Sequence, residues 1–260
     1  MTTTRSQEVS SFTIVKGGLI EETYLAFQNW DFDLSKRENL QKFREEDPIG
    51  ATSANMLDEV AMGLSRRFEP NTRDRPLVEL AKAGCEREVW EPLLLWHMTR
   101  DEFLVRDFLL NWLFPRYEDG ALAVQANEVI PYLKTLPEKG VTSTDSWADS
   151  TLKRVASGLL RIAVDFGLMT GRVKREFASY HLPDDSFMYL LHALAEQQSN
   201  ANHIVQSDEW RMYLITPRQV ERRVLQLHQY NKLDYHVAGT LAQLSLPAES
   251  TLEYARGMIS

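Results

Sequence analysis

Apolar side chains recur at helical spacing along most of this chain of 260 residues. From Thr52 to Phe68, Met56, Leu57, Val60, Ala61, Leu64 and Phe68 form one stripe at i, i+3 and i+4. Thr52 or Ser53 can cap that helix, and Pro70 stops it. The pattern predicts a second long helix from Arg100 to Phe114, ended by Pro115. Between them, Arg75 to Met98 reads as two shorter helices around Gly84 and Pro92. Val124 to Leu136 is another helix, which Pro131 kinks or divides.

The stretch Pro137 to Asp145 is short, polar and rich in turn residues, and reads as a linker. It divides the chain into a helical N-terminal region, residues 1–140, and a C-terminal region, residues 141–260. Past it, Ser146 and Asp149 resemble a capping pair. Leu152, Val155, Ala156, Leu159, Leu160, Ala163 and Phe166 then make an unbroken apolar face, which Gly167 can end in a left-handed turn. A second, basic helix is predicted near Thr170 to Tyr180, with Val173, Phe177 and Tyr180 inside, and another from Asp184 to Gln198 after Pro183.

Near the end the period changes. Thr216-Pro217-Arg218-Gln219 starts a helix with Thr as cap, Pro in the first position and Gln three after the cap. That helix runs to about Asn231. A period of two then takes over. A turn at Ala238-Gly239 would set Val237 opposite Thr240, Tyr235 opposite Ala242 and Leu233 opposite Leu244, with apolar side chains on one face. A helix followed by a hairpin is the order of a winged helix-turn-helix. The expected fold is therefore mainly α, with a winged-helix-like helix and β-hairpin in the C-terminal region.

Composition places the chain among ordinary globular proteins, with 43% hydrophobic and 25% charged residues. Only Met1 to about Ser11 reads as a frayed polar tail. The one cysteine, Cys85, excludes an intramolecular disulfide and suits a reducing cytosol. The start carries no apolar run of a signal peptide. The most apolar stretches, around Leu93–Trp96 and Phe108–Phe114, fall far short of the roughly 20 residues that cross a bilayer. A cytoplasmic protein without membrane contact is expected.

A net charge of −8 argues at first against nucleic acid, but the charge is unevenly spread. Glu21 to Glu59 holds ten acidic and four basic residues. Thr151 to Leu182 holds six basic residues against two acidic, and Arg211 to Lys232 five against one. In the last block, Arg218, Arg222 and Gln226 stand at i, i+4 and i+8, with Gln229 extending the face and Arg223 beside it. Arg and Gln suit phosphates and base edges, although a solvated amphipathic helix would look the same. Arg172, Lys174 and Arg175, with Arg154 and Arg161, form a second candidate surface. Arg66 and Arg67, with Arg73 and Arg75, form a third, whose simplest reading is surface ion pairs and a helix C-terminus that welcomes cations.

Signatures of catalysis are missing. There is no phosphate-binding Gly-rich loop beyond the bare pair Gly17-Gly18 and no His-Glu-x-x-His. The six histidines are scattered, and no basic residue beside Cys85 would activate its thiol. The expectation is a protein that is not an enzyme and takes no cofactor or metal. The six tryptophans sit mostly at helical apolar positions and read as packing rather than base-stacking platforms.

Lys16-Gly17-Gly18-Leu19-Ile20-Glu21-Glu22-Thr23 resembles the opening helix of the BrxA family of BREX phage-defence systems. So does Leu159 to Leu194, with Asp165-Phe166-Gly167-Leu168 and Phe187-Met188-Tyr189-Leu190-Leu191, and so does Trp210-Arg211-Met212-Tyr213-Leu214-Ile215. The resemblance implies a small bacterial accessory protein of antiviral defence, encoded beside a methyltransferase and large ATPases. An older label for such proteins, inner-membrane protein, conflicts with the lack of a spanning segment. The family has been likened to the antitermination factor NusB, a helical RNA-binding fold. It brings no catalytic residues to carry over. The function expected is binding of double-stranded DNA, chiefly through phosphates, alongside other BREX proteins. An interaction scaffold docking through the acidic front and an RNA-binding regulator are the alternatives.

Overall fold

Side chains cap several helices where the sequence supplies a cap. Ser53 Oγ accepts from the Met56 amide, and Thr216 with Gln219 closes a reciprocal capping box. Ser35 with Glu38 does the same for a helix in the acidic front. The computed structural model describes residues 9–141, 144, 145, 147–239 and 241–259. Met1 to Glu8 of the expected tail, Thr142 and Ser143 of the linker, Ser146 of the expected capping pair and Thr240 of the hairpin lie outside them.

The chain runs through α1 (Ser11–Val15), α2 (Ile20–Gln28), α3 (Lys36–Glu46), α4 (Ala54–Arg67), α5 (Arg75–Lys82) and α6 (Arg87–Met98). Then come α7 (Phe103–Phe108), a π turn (Leu109–Leu113), α8 (Phe114–Glu118), β1 (Ala123–Val124), α9 (Ala126–Thr135) and α10 (Asp149–Asp165). β2 (Met169–Thr170) and β3 (Arg175–Phe177) precede α11 (Asp184–Ala195), α12 (Ala201–Val205) and a 3₁₀ turn (Asp208–Tyr213). The end is α13 (Pro217–Gln229), β4 (Asp234–Ala238), β5 (Leu241–Ser245) and α14 (Thr251–Gly257). The protein is mainly α, with two small sheets among the described residues.

Four sequence expectations need correction. Residues 170–180 are not a helix: β2 and β3 pair antiparallel and β1 joins the other edge of β3. Gly171, at φ +92, takes a backbone conformation closed to most side chains and turns the chain between them. Val173 is therefore exposed at the turn, not inside. Pro115 does not end its helix, because the π turn before it shifts the hydrogen-bond ladder and accommodates the missing N–H. Pro92 likewise lies inside α6, and Pro131 does not divide α9. In the hairpin, Tyr235 pairs with Leu244 and Val237 with Ala242. The turn falls one residue later than expected, with Gly239 at φ +64 at its start. A shift of two in register preserves the pleat, so Tyr235 is still buried.

One apolar cluster runs through the whole chain, from Ile14 to Ala255, and holds Trp30, Trp90, Trp96, Trp112 and Trp210. Contacts cross the 140/141 position freely. β1 pairs with β3, and α1 lies against α10 so closely that a Cβ on Gly158 would come within 2.7 Å of the Ile14 carbonyl oxygen. Gly167 closes α10 as anticipated: its amide donates to Val164 O and that of Leu168 to Ala163 O.

Two polar networks sit inside this cluster. Arg67, 1% exposed, donates to the carbonyls of Thr13 (2.8 Å), Gly17 (2.9 Å) and Gly18 (3.2 Å) and to Glu102 (3.3 Å). From the other side, the Gly18 amide donates to Asp165 Oδ2 at 2.8 Å. In the second network His97 bridges Asp74 through Nδ1 and the Tyr189 hydroxyl through Nε2, each at 2.7 Å. Burial pushes the His97 pKa down despite Asp74 beside it. Burial also works to raise the Asp74 pKa, but His97 and Arg73 outweigh it and hold this carboxyl well below the usual range. The pair is thus carboxylate and neutral imidazole, with Nδ1–H donating and Nε2 accepting.

Two outcomes are expected. Arg67→Met should lower the unfolding free energy in urea by about 3–5 kcal/mol, because it leaves three carbonyls without this donor and buried Glu102 with only the longer contact to Arg66. Arg154→Met, on the exposed face of α10, should change it by about 0.5 kcal/mol or less; equal effects would refute an anchoring role for Arg67. The second outcome concerns pH. Unfolded His97 gains a proton below its ordinary pKa of about 6.5, whereas the buried form resists it. Stability should therefore fall as pH drops from about 7 towards 5, and Asp74 should add a further loss as pH passes below the ordinary carboxylate range. Urea titrations at several pH values should give a shallower slope for His97→Gln; an unchanged slope would exclude His97 as its source.

Candidate nucleic-acid interface

α13 exists because Val220, Val224 and Leu227 form a buried stripe at i, i+4 and i+7. That phase leaves Arg218, Glu221, Arg222, Leu225, Gln226 and Gln229 exposed on the opposite side, where they line an open groove of about 440 Å³. Arg218 and Arg222 have no carboxylate within 4.0 Å among the described residues. Two cations one turn apart, with amides extending the line, present donors without internal acceptors. The arrangement suits a polyanion surface. The hairpin β4–β5 follows directly and packs on α13 through β4. His228 of α13 and His236 of β4, which sequence separation kept apart, stack edge to face at 5.1 Å at this junction.

Arg223 is not part of that face. Its guanidinium holds Asp184 (Nε–Oδ1 3.1 Å) and the Leu182 carbonyl and lies 4.6 Å from the Phe187 ring centre. It clamps α13 to the start of α11 and is spent there.

The second candidate surface also divides. Arg154 is exposed on α10, and Arg172 on the β2–β3 turn, each without an ion-pair partner within 4.0 Å among the described residues. Arg161 is exposed but lies 3.8 Å from Asp165, and Lys174 is 3.7 Å from Glu176. Arg175 turns inward on the face of β3 that carries Phe177, with its Nε buried and unpartnered among the described residues. Burial lowers its pKa, and the charge of Asp165 offsets part of that.

The third candidate group is overturned for Arg67. It is neither a surface residue nor within reach of a ligand, since its fork is filled by backbone carbonyls. Arg66 is half-buried and 3.7 Å from Glu102. Arg73 pairs with Asp74 and Asp101, and Arg75 with Glu79. Of the three candidate groups, exposed arginines thus remain on α13, on α10 and at the β2–β3 turn.

Acidic residues of the front are largely engaged within the fold. Glu21 binds Arg87, Asp58 binds Arg44, Glu59 binds Lys16, and Asp47 accepts from the Ala51 amide. Cys85 is half-buried, and burial with the charges of Asp185 and Glu86 pushes its thiol up to about 11, away from the reactive thiolate. Among the described residues, no three His, Cys, Asp or Glu side chains gather as metal ligands would. No helix among them is long and apolar enough to cross a membrane.

No curated protein matches the chain. The protein family described as BrxA matches residues 10–193, a span that takes in Lys16–Thr23 and all but the last residue of Leu159–Leu194 but stops before Trp210–Ile215.

Proposed function

The chain belongs to the BrxA family, and from that premise we propose a non-catalytic accessory protein of a BREX-type phage-defence system that binds double-stranded DNA. The observation that carries this reading is the outer face of α13. Arg218, Arg222 and Gln226 stand exposed in one line, and neither arginine has a carboxylate within 4.0 Å among the described residues. The α13 group has lost Arg223 to Asp184, but Arg218 and Arg222 remain together on one face, whereas the Arg66–Arg75 group is largely paired within the fold.

In this reading α13 is the recognition helix and β4–β5 the wing. From Arg218 to Gln226 the helix rises about 12 Å, which matches three to four base-pair steps of about 3.4 Å. The two guanidiniums replace counterions condensed on the phosphates, so affinity comes mainly from their release into solution. Gln226 and Gln229, bearing both donors and acceptors, supply any reading of base edges. With Glu221 in the same groove and two helix cations without an ion pair among the described residues, modest affinity and little sequence preference follow. Arg154 and Arg172 add phosphate contacts where the duplex reaches them.

A scaffold docking through the acidic front is the weaker reading, because so many of its carboxylates already bind within the fold.

Fluorescence anisotropy of a labelled duplex, titrated with protein at several salt concentrations, tests the proposal. Log affinity should fall linearly with log salt, and Arg218→Glu with Arg222→Glu should flatten the slope by about 2. Arg223→Gln should leave that slope unchanged. Folded protein that fails to bind at low salt, or a double variant that binds like the wild type, would refute it. Tighter binding of structured RNA than of the duplex would move the target to RNA.

A further inference from the structure

α13 carries one aliphatic side chain on its outward face. Leu225 is 42% exposed, while the other aliphatic residues of the helix, Val220, Val224 and Leu227, are buried. Helix phase places it there. At about 100° per residue, Leu225 stands about 140° round the helix from Val220, on the side of Arg218, Arg222 and Gln229. It follows Arg222 by three residues and precedes Gln229 by four, the spacings at which helix side chains are surface neighbours. It lines the same open groove as those three residues. Packing within the fold does not call for it, because the buried stripe of α13 is already complete without it. Docking of a partner protein does not call for it either. Such sites centre on contiguous apolar area, whereas Leu225 is bordered by Glu221, Arg222, Gln226 and Gln229. The next exposed apolar side chain along the chain, Tyr230, lies about 140° further round the helix.

Base edges in the major groove present one apolar feature, the 5-methyl group of thymine. Cytosine offers an amino donor there, and guanine two acceptors. Leucine has no hydrogen-bonding group, so contact with that methyl is the base reading open to it. Its neighbour supplies the other half of the same base pair. Gln229, one turn on, carries the amide that pairs with N6 and N7 of adenine. Side chains at this spacing start about 5–6 Å apart, and successive base pairs are about 3.4 Å apart. One A·T pair, or two in succession, therefore meets both residues. Arg218 and Arg222, without a carboxylate within 4.0 Å among the described residues, are left to the phosphates on either side.

We infer that Leu225 is a specificity-determining residue: it packs against the 5-methyl group of thymine and biases α13 towards A·T pairs, with Gln229 on the adenine. The inference rests on the duplex reading of α13 and adds to it the base pair that the face accepts. The bias is modest, because one apolar contact and one amide carry it, while the arginines hold any sequence alike.

Two alternating duplexes separate the methyl group from everything else in the base pair. One is built of adenine and thymine. In the other, uracil replaces thymine, which keeps every hydrogen-bonding group and removes only the methyl. An alternating sequence presents the same edges in every register. Anisotropy titrations at one low salt concentration should give about fourfold weaker binding to the uracil duplex, the effect of one buried carbon group. Leu225→Ser, at an exposed position where substitution leaves the fold intact, should bind both duplexes alike. Its log affinity should fall with log salt at the wild-type slope, because both arginines are in place. Equal binding of the two duplexes by the wild-type protein would overturn this inference and leave the duplex reading standing. A fourfold ratio that survives in Leu225→Ser would overturn it too. Folded protein that binds neither duplex would refute the duplex reading itself, and this inference with it.

Discussion

Placing a guanidinium in an apolar interior costs several kcal/mol unless its donors are met. In this protein the cost is offset at Arg67 by three main-chain carbonyls and one carboxylate. The carbonyls belong to Thr13 in α1 and to Gly17 and Gly18 in the short passage between α1 and α2, where no regular ladder runs. Arg67 therefore supplies what that passage lacks, while Asp165 takes the Gly18 amide from the opposite side. α4, α7, α10 and the start of the chain are brought to one point by this exchange. The apolar packing of α1 on α10, including the close approach at Gly158, has its geometry set there.

Arginine thus takes two kinds of position in one chain, buried and exposed, and helix phase largely separates them. Arg67 stands three after Leu64 and seven after Val60, on the stripe the sequence already marked as buried. Its position was legible, but its charge pulled the reading towards the surface. His97 follows the same rule, since it stands four after Leu93 in a run buried on every side. On α13 the phase argument places Arg218, Arg222 and Gln226 outside from the sequence alone. It does not reveal that Arg223, one position on, reaches back to Asp184, because that partner lies 39 residues away.

The stretch from Thr170 to Tyr180 shows where periodicity stops being informative. Val173, Phe177 and Tyr180 fit a helical face, yet two short strands form there because β1 offers an edge and Gly171 permits the reversal. Short strands carry too few residues to display a period of their own. Pro115 misleads for a related reason: a proline ends a regular helix, but a π turn ahead of it changes which carbonyl needs an amide. The capped starts at Ser53 and Thr216, by contrast, were legible because a cap is satisfied within four residues of itself.

The last helix returns to the beginning of the fold. α14 packs on α5, Arg256 grips Glu79 at 2.7 Å, Tyr254 stacks on His192 at 4.4 Å, and Ala255 is fully buried. The family match ends at residue 193, inside α11 and before any of these contacts from the C-terminal side. The portion by which the family is recognised is therefore not a separable module. Relatives that exchange their C-terminal quarters, by recombination or by design, must exchange the matching surface of α5 and α11 as well. Residues such as Glu79 and His192 would then drift in step with a tail that the family signature does not include.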